Sequence, residues 1–202
     1  VRNIPISRVG IKDIKYPFKI SDKNGDVQST IGTFTMSVGL PHDVKGTHMS
    51  RFVKILEDQE DCISIENFND LVKNTTNILS SDSAYISVDF IYFKKKVAPV
   101  SRVESLLDYS INFTCEVKNN VVYKYLKVVV PVTSLCPCSK NISDYGAHNQ
   151  RSHISAHIRT EETVWIDDVI EMLEDQASCQ IYGLLKRPDE KYVTEQAYDN
   201  PK

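Results

Sequence analysis

The chain has 202 residues, 41% of them hydrophobic and 25% charged, enough to bury a sizeable core in one large domain or two small ones. A formal charge of −3 and an isoelectric point near 6.0 argue against any general attraction to nucleic acid. No apolar run approaches the ~20 residues of a bilayer crossing, and the opening "VRNIPISRVGIKD" lacks the apolar segment of a secretory signal, so no membrane association is expected.

The first half alternates like an antiparallel sheet and then turns helical. "VGIKDIKYPFKI" and "QSTIGTFTMSVGL" read as strands, joined through "SDKNGD", whose Asn24-Gly25 pair is a strong hairpin signal. "SRFVKILED" reads as a short helix. In "IENFNDLVKNTTNILSS", Ile65, Phe68, Leu71, Val72, Ile78 and Leu79 share one helical face. "AYISVDFIYF" follows, with Ile86, Val88, Phe90 and Tyr92 alternating against Ser87, Asp89 and Ile91. In "SLLDYSINFTCEV" the inward set is Ile111, Phe113, Cys115 and Val117. The lysine run between these strands, Lys94 to Lys96, reads as a solvated surface.

Asn119-Asn120 makes a turn, and the pattern begins again. "VVYKYLKVVVPVTS" and "RSHISAHIRT" are strand-like, and a helix starting near Val164 gathers Ile166, Val169, Ile170, Leu173 and Ala177 opposite Asp167, Asp168, Glu171, Glu174 and Asp175. The second unit therefore shows two strands and one helix, without a second helix or a closing strand pair. Residues 1–119 and 120–202 are expected to form two modules sharing one sheet.

Five cysteines stand at 62, 115, 136, 138 and 179. An odd number at irregular spacing is not a disulfide framework, and a reducing, cytoplasmic setting is expected. Cys62, Cys115 and Cys179 sit among apolar neighbours as small core residues. Cys136 and Cys138, in "SLCPCSKNISDYGAHNQRSH", lie where a strand gives way to a loop, and a disulfide between them would be strained. With no second cysteine pair, a closed four-thiolate zinc site is disfavoured. An open site built from one cysteine, His148 and a carboxylate is one reading; buried or redox thiols are the other. His153 and His157 share one face of their strand and can join a site or simply lie on the surface. Asp189, Glu190 and Glu195, after Pro188, supply carboxylates, although capping of a helix N-terminus is the simpler role. In "KGTHMSRF", Ser50 is the expected helix cap, with His48 and Arg51 near an N-terminus that favours an anion.

Together, "PVTSLCPCSKNISDYGAHNQRSH", "KGTHMSRF", "KKKVAPVS", "LLDY" and "YGLLKRPDEKYVTEQAYDNPK" resemble the prokaryotic type IB GTP cyclohydrolases along almost the whole chain. The resemblance implies an α+β tunnelling fold, or T-fold: two tandem ββααββ modules with antiparallel sheets, the second incomplete here, assembled as a homotetramer with interfacial sites. It implies hydrolysis of GTP to 7,8-dihydroneopterin triphosphate and formate, at the entry to tetrahydrofolate. One divalent metal per site (zinc, manganese or iron) would be held by Cys136, His148 and Glu190. Cys136 is the leading catalytic candidate, with Cys138, His48 and His153 as candidates for proton transfer. His48, Arg51, Lys140 and Arg151, backed by Lys186 and Arg187, are candidates for the triphosphate. The family pattern continues beyond "AYDNPK" into a region that should carry a guanine-gripping glutamate; were Lys202 the terminus, neither a stable tetramer nor turnover is expected. Two other readings are a T-fold nitrile reductase of queuosine biosynthesis and a non-catalytic metal-binding or thiol-redox protein.

Overall fold

The computed structural model describes residues 4–44, 46–58, 63–64 and 67–202. Among them seven strands and five helices follow one another as β1 (Ile6–Ser21), β2 (Val27–Leu40), α1 (Met49–Glu57), α2 (Phe68–Leu79), β3 (Ser83–Val97), β4 (Glu104–Lys118), β5 (Val121–Leu135), α3 (Pro137–Ile142), β6 (Asn149–Thr160), α4 (Ile166–Asp175), β7 (Cys179–Gln180) and α5 (Arg187–Asp199). The strands are ordered β1-β2-β3-β4-β5-β6, with β7 paired to β5. Each predicted strand and helix is present. Two turns work as their chemistry demands: Gly25 takes φ 84°, and Asn119 and Asn120 take φ 51° and 61°, the left-handed pair that a tight hairpin needs. Cys62, expected in the core, and Ile65, expected on the face of α2, lie outside the described residues.

Two compact units divide the chain, and β3 to β6 run through both. The first comprises residues 1–91, 111–127 and 157–165. Its β1–β2 hairpin pairs antiparallel, with a register shift between Ile11 and Ile14 where Asp13 takes φ 58°; such a bulge sharpens strand twist. Period-two alternation buries Phe34, Met36 and Val38 of β2 and Ile86, Val88 and Phe90 of β3. Phe18 meets Phe34 and Phe90 edge-on, and Phe90 meets Phe113 likewise, with ring centroids 5.2–5.6 Å apart. Helix α1 buries Phe52, Ile55 and Leu56, and α2 buries Phe68, Leu71, Val72 and Leu79. Thr75 is also buried in α2, its hydroxyl satisfied by the Leu71 carbonyl at 2.8 Å.

The second unit comprises residues 92–110, 128–156 and 166–202. Helix α4 buries Ile166, Val169 and Ile170 as expected, each worth roughly 1.5–3 kcal/mol. Glu174, placed by the sequence pattern on the solvent side, is instead buried. The lysine run is corrected for the same reason. Alternation along β3 continues past Tyr92, so Lys94 and Lys96 point inward with it while Lys95 points out. Lys96 Nζ lies 2.7 Å from Glu174 Oε2 and 2.7 Å from Gln180 Oε1, and Tyr109 donates to Glu174 Oε1 at 2.8 Å. Burial, followed by the Glu174 charge, raises the Tyr109 phenol, so it stays a donor. Lys94 bridges Asp167 and Glu171, and Tyr92 donates to Asp167. A burial-driven pairing thus replaces the expected solvated surface. Helix α3 stands where the sequence suggested a loop, and α5, signalled only by the capping acids after Pro188, buries only Asp189 and Ala197. The second unit therefore carries a helix after α4 that the periodicity did not reveal.

Candidate active site

Three segments of the second unit carry the candidate metal donors. Strand β5 ends at Leu135, and Cys136 follows as the N-cap of α3 with φ −67° and ψ 115°. Pro137 opens the helix, where a missing amide removes no helical bond. The Cys136 sulfur accepts from the Ser139 amide at 3.4 Å. That amide, ahead of the other contacts, holds the Cys136 thiol below the ordinary cysteine range, although the sulfur is not deeply buried. Cys138 is exposed within α3.

His148 arrives from the other side of the loop. The Cys136 amide donates to the His148 carbonyl at 2.9 Å, which pins residue 148 beside the cap, and the imidazole is exposed. Beneath both runs a small apolar cluster of Leu135, Cys179 and Ala197, with Ala147 and Val193 packed against it. Apart from Cys179, its members lie on the segments that carry the three candidate metal donors. Leu135 precedes Cys136, Ala147 precedes His148, and Val193 and Ala197 stand on α5, the helix that carries Glu190.

The start of α5 is fastened separately. Asp189 is fully buried and accepts from the Val100 and Ser101 amides and the Lys186 amide at 2.8 Å each, and from the Ser101 hydroxyl at 2.5 Å. Burial pushes its carboxyl up, but the Ser101, Lys186 and Val100 donors outweigh it and hold the acid well below the usual carboxylate range. Asp189 is thus the helix-capping acid, the simpler role considered for this group. Its neighbour Glu190 faces outward, about half exposed, with Arg187 Nη1 at 2.8 Å from Oε2.

The remaining candidates are dispersed. Arg151 and His153 lie on the exposed face of β6, with His157 on the same side. Lys140 donates to the Tyr198 carbonyl and sits 4.2 Å above the Tyr198 ring, so its charge is engaged with α5. Lys186 is exposed at the N-cap of α5, and Arg187 is nearly fully exposed. In the first unit the cap of α1 is His48, not Ser50, and no side chain caps it. Arg51 donates to the Ile78 carbonyl at 3.1 Å, near the end of α2. Sequence reasoning missed Ser139 and the Ser101–Asp189 clamp; the "KKKVAPVS" stretch was noticed without a role, and the clamp supplies one.

Among the described residues, no three His, Cys, Asp or Glu side chains are gathered closely enough to hold a metal within one chain. The chemistry of the donors nonetheless suits a divalent ion: a thiol already biased toward thiolate, an accessible imidazole, and a surface carboxylate that must exchange Arg187 for the ion. The first two are coupled through one backbone hydrogen bond.

Comparison with known proteins identifies the family of the chain. The model of the type I GTP cyclohydrolase FolE2 family matches residues 1–202. A GTP cyclohydrolase FolE2 of Nitrosococcus oceani is 55% identical over 201 residues, covering 100% of this chain and 75% of its own length. The corresponding proteins of Nitrosomonas eutropha and Neisseria gonorrhoeae are 56% and 51% identical over 202 residues, again covering 100% of this chain and 76% and 78% of theirs. Among solved structures, a uricase from Arthrobacter globiformis superposes with a TM-score of 0.54 at 9% identity, covering 96% of this chain and 76% of that one. At such identity the likeness concerns the fold alone, and that fold is the α+β tunnelling fold. With the family model matched from end to end and relatives more than half identical throughout, this chain belongs to the type I GTP cyclohydrolase FolE2 family.

Proposed function

We infer that this protein is a GTP cyclohydrolase that converts GTP and water to 7,8-dihydroneopterin triphosphate and formate, feeding tetrahydrofolate synthesis. The observation that carries the reading is the whole-chain family match, joined to the convergence of the segments bearing Cys136, His148 and Glu190 on one apolar cluster.

Cys136, His148 and Glu190 are the residues that would hold one zinc, manganese or iron ion. When bound there, such an ion supplies the Lewis acidity that makes water nucleophilic near neutral pH beside C8 of guanine. The chain's own contribution begins with Cys136, whose cap position and Ser139 contact favour the thiolate. Cys138 and His153, both exposed, and His48 are suited to moving protons during formate release and ring closure. Arg151, Lys186 and Arg187 offer accessible cations for the triphosphate, whereas Lys140 and Arg51 would first have to leave backbone carbonyls. A homotetramer with sites between subunits belongs to the same reading, as do two consecutive modules, 1–119 and 120–202, that meet at the Asn119-Asn120 turn.

Incubation of metal-loaded protein with GTP, followed by oxidation, should yield pterin fluorescence and one formate per GTP. Cys136→Ala should abolish both. Undiminished turnover in that variant would remove Cys136 from the mechanism.

A further inference from the structure

We propose that Ser139 is a positioning residue, holding Cys136 and His148 in a fixed mutual geometry through its hydroxyl group. The inference rests on the reading of Cys136 and His148 as metal donors and adds a residue to it. Four hydrogen bonds close a circuit between the two segments. The Cys136 amide donates to the His148 carbonyl at 2.9 Å, the His148 amide donates to Ser139 Oγ at 2.9 Å, Ser139 Oγ donates to the Cys136 carbonyl at 3.1 Å, and the Ser139 amide donates to Cys136 Sγ at 3.4 Å. A hydroxyl can accept and donate at once, which this circuit requires and a methyl group cannot supply.

The surroundings explain why the circuit matters. Between residues 142 and 145 the loop has almost no packing: Ile142 is 86% exposed and Tyr145 is 100% exposed. Helix α3 has six residues, too few to persist on its own propensity. The place of residue 148 relative to 136 is therefore held by the Ala147 contact and by this circuit. Cys136 and Ser139 are half-buried and His148 is exposed, so losing the hydroxyl strands no fully buried group. Its removal should loosen the donor pair while sparing the fold, the pattern expected of a group that orients metal ligands from behind.

The test compares the wild-type chain with Ser139→Ala, Ser139→Thr and Cys136→Ala, using Co²⁺ as the probe. Affinity is read by chelator competition and geometry by the thiolate-to-cobalt absorption band. Exchange of the His148 amide in metal-free protein supplies a readout independent of metal. Ser139→Ala should weaken Co²⁺ by about 10–100-fold, shift and weaken the band, and speed His148 exchange about tenfold or more. Its thermal midpoint should stay within about 2 °C of wild type, and Ser139→Thr should restore the affinity, the band and the exchange rate. Wild-type affinity and exchange in Ser139→Ala, equal damage in the alanine and threonine variants, or a collapsed thermal midpoint would each overturn the proposal. If Cys136→Ala gives the same cobalt band as wild type, the underlying donor assignment fails instead, and the exchange result still judges the circuit.

Discussion

Removing the ammonium of Lys96 is expected to destabilise the protein severely. Lys96 and Glu174 are ion-paired at 2.7 Å with side chains only 6% and 1% exposed. Glu174 has one further neutral donor, the Tyr109 hydroxyl at 2.8 Å, and Lys96 has Gln180 at 2.7 Å. Lys96→Met keeps the aliphatic volume and leaves the Glu174 carboxylate buried beside a single phenol. Breaking one side of such a pair costs about 3–5 kcal/mol. For a chain of this size each kcal/mol lowers the midpoint by about 2–4 °C, so a fall of roughly 6–20 °C follows. Thermal unfolding followed by circular dichroism measures it, with Lys95→Met as the control. Lys95 pairs with Glu104 at the surface, its side chain 62% exposed, and exposed pairs contribute about 0–1 kcal/mol. The triple change Lys96→Met, Glu174→Leu, Tyr109→Phe removes charge and phenol together and should recover most of the loss, because a well-packed apolar substitute avoids the stranded charge. A midpoint for Lys96→Met no lower than that of Lys95→Met would refute the reasoning.

Three further outcomes follow from the second unit and the cysteines. Alkylation at neutral pH, localised by mass spectrometry, should modify Cys136 and Cys138 before Cys115 and Cys179, since Cys115 is buried with its thiol pushed up to about 12 and burial likewise raises Cys179; prompt labelling of Cys115 in the folded state contradicts this. Asp189→Asn should lower the thermal midpoint at neutral pH. Because the Asp189 carboxyl is depressed in the folded state, the stability it contributes is present above its ordinary range and is lost as pH falls below about 4, so the wild-type and variant midpoints should converge in acid. A gap that stays constant from pH 7 to pH 2 would count against the clamp. Gly183→Ala places a methyl carbon 2.6 Å from the Leu106 carbonyl oxygen and should cost about 1–3 kcal/mol by overpacking, measured as a lowered denaturation midpoint; a neutral result would show that the backbone there yields.

Local rules carried the fold a long way. Period-two alternation located β3 and β4 with their inward sets and marked β5 as a strand, Asn24-Gly25 and Asn119-Asn120 marked the hairpins, and helical spacing found α2 and α4, because each pattern reflects a single apolar face that must be buried. The stretches "PVTSLCPCSKNISDYGAHNQRSH" and "YGLLKRPDEKYVTEQAYDNPK" carry the family resemblance without any tertiary information. Reading charged side chains as solvated misjudged Lys94, Lys96 and Glu174: charge predicts exposure on average, yet strand alternation and the opposing helix dictate where a given side chain points, and mutual pairing makes burial tolerable. Only the start of helix α5, after Pro188, carries a sequence signal; its buried groups are an alanine and an aspartate, so it has almost no apolar stripe to read. Likewise only tertiary structure decided that Asp189 fastens a turn 88 and 89 residues earlier in the chain, and that one serine hydroxyl ties Cys136 to His148. Periodicity reports what an element buries, whereas hydrogen bonds between distant segments depend on where folding brings them, and that information exists only once the chain has closed on itself.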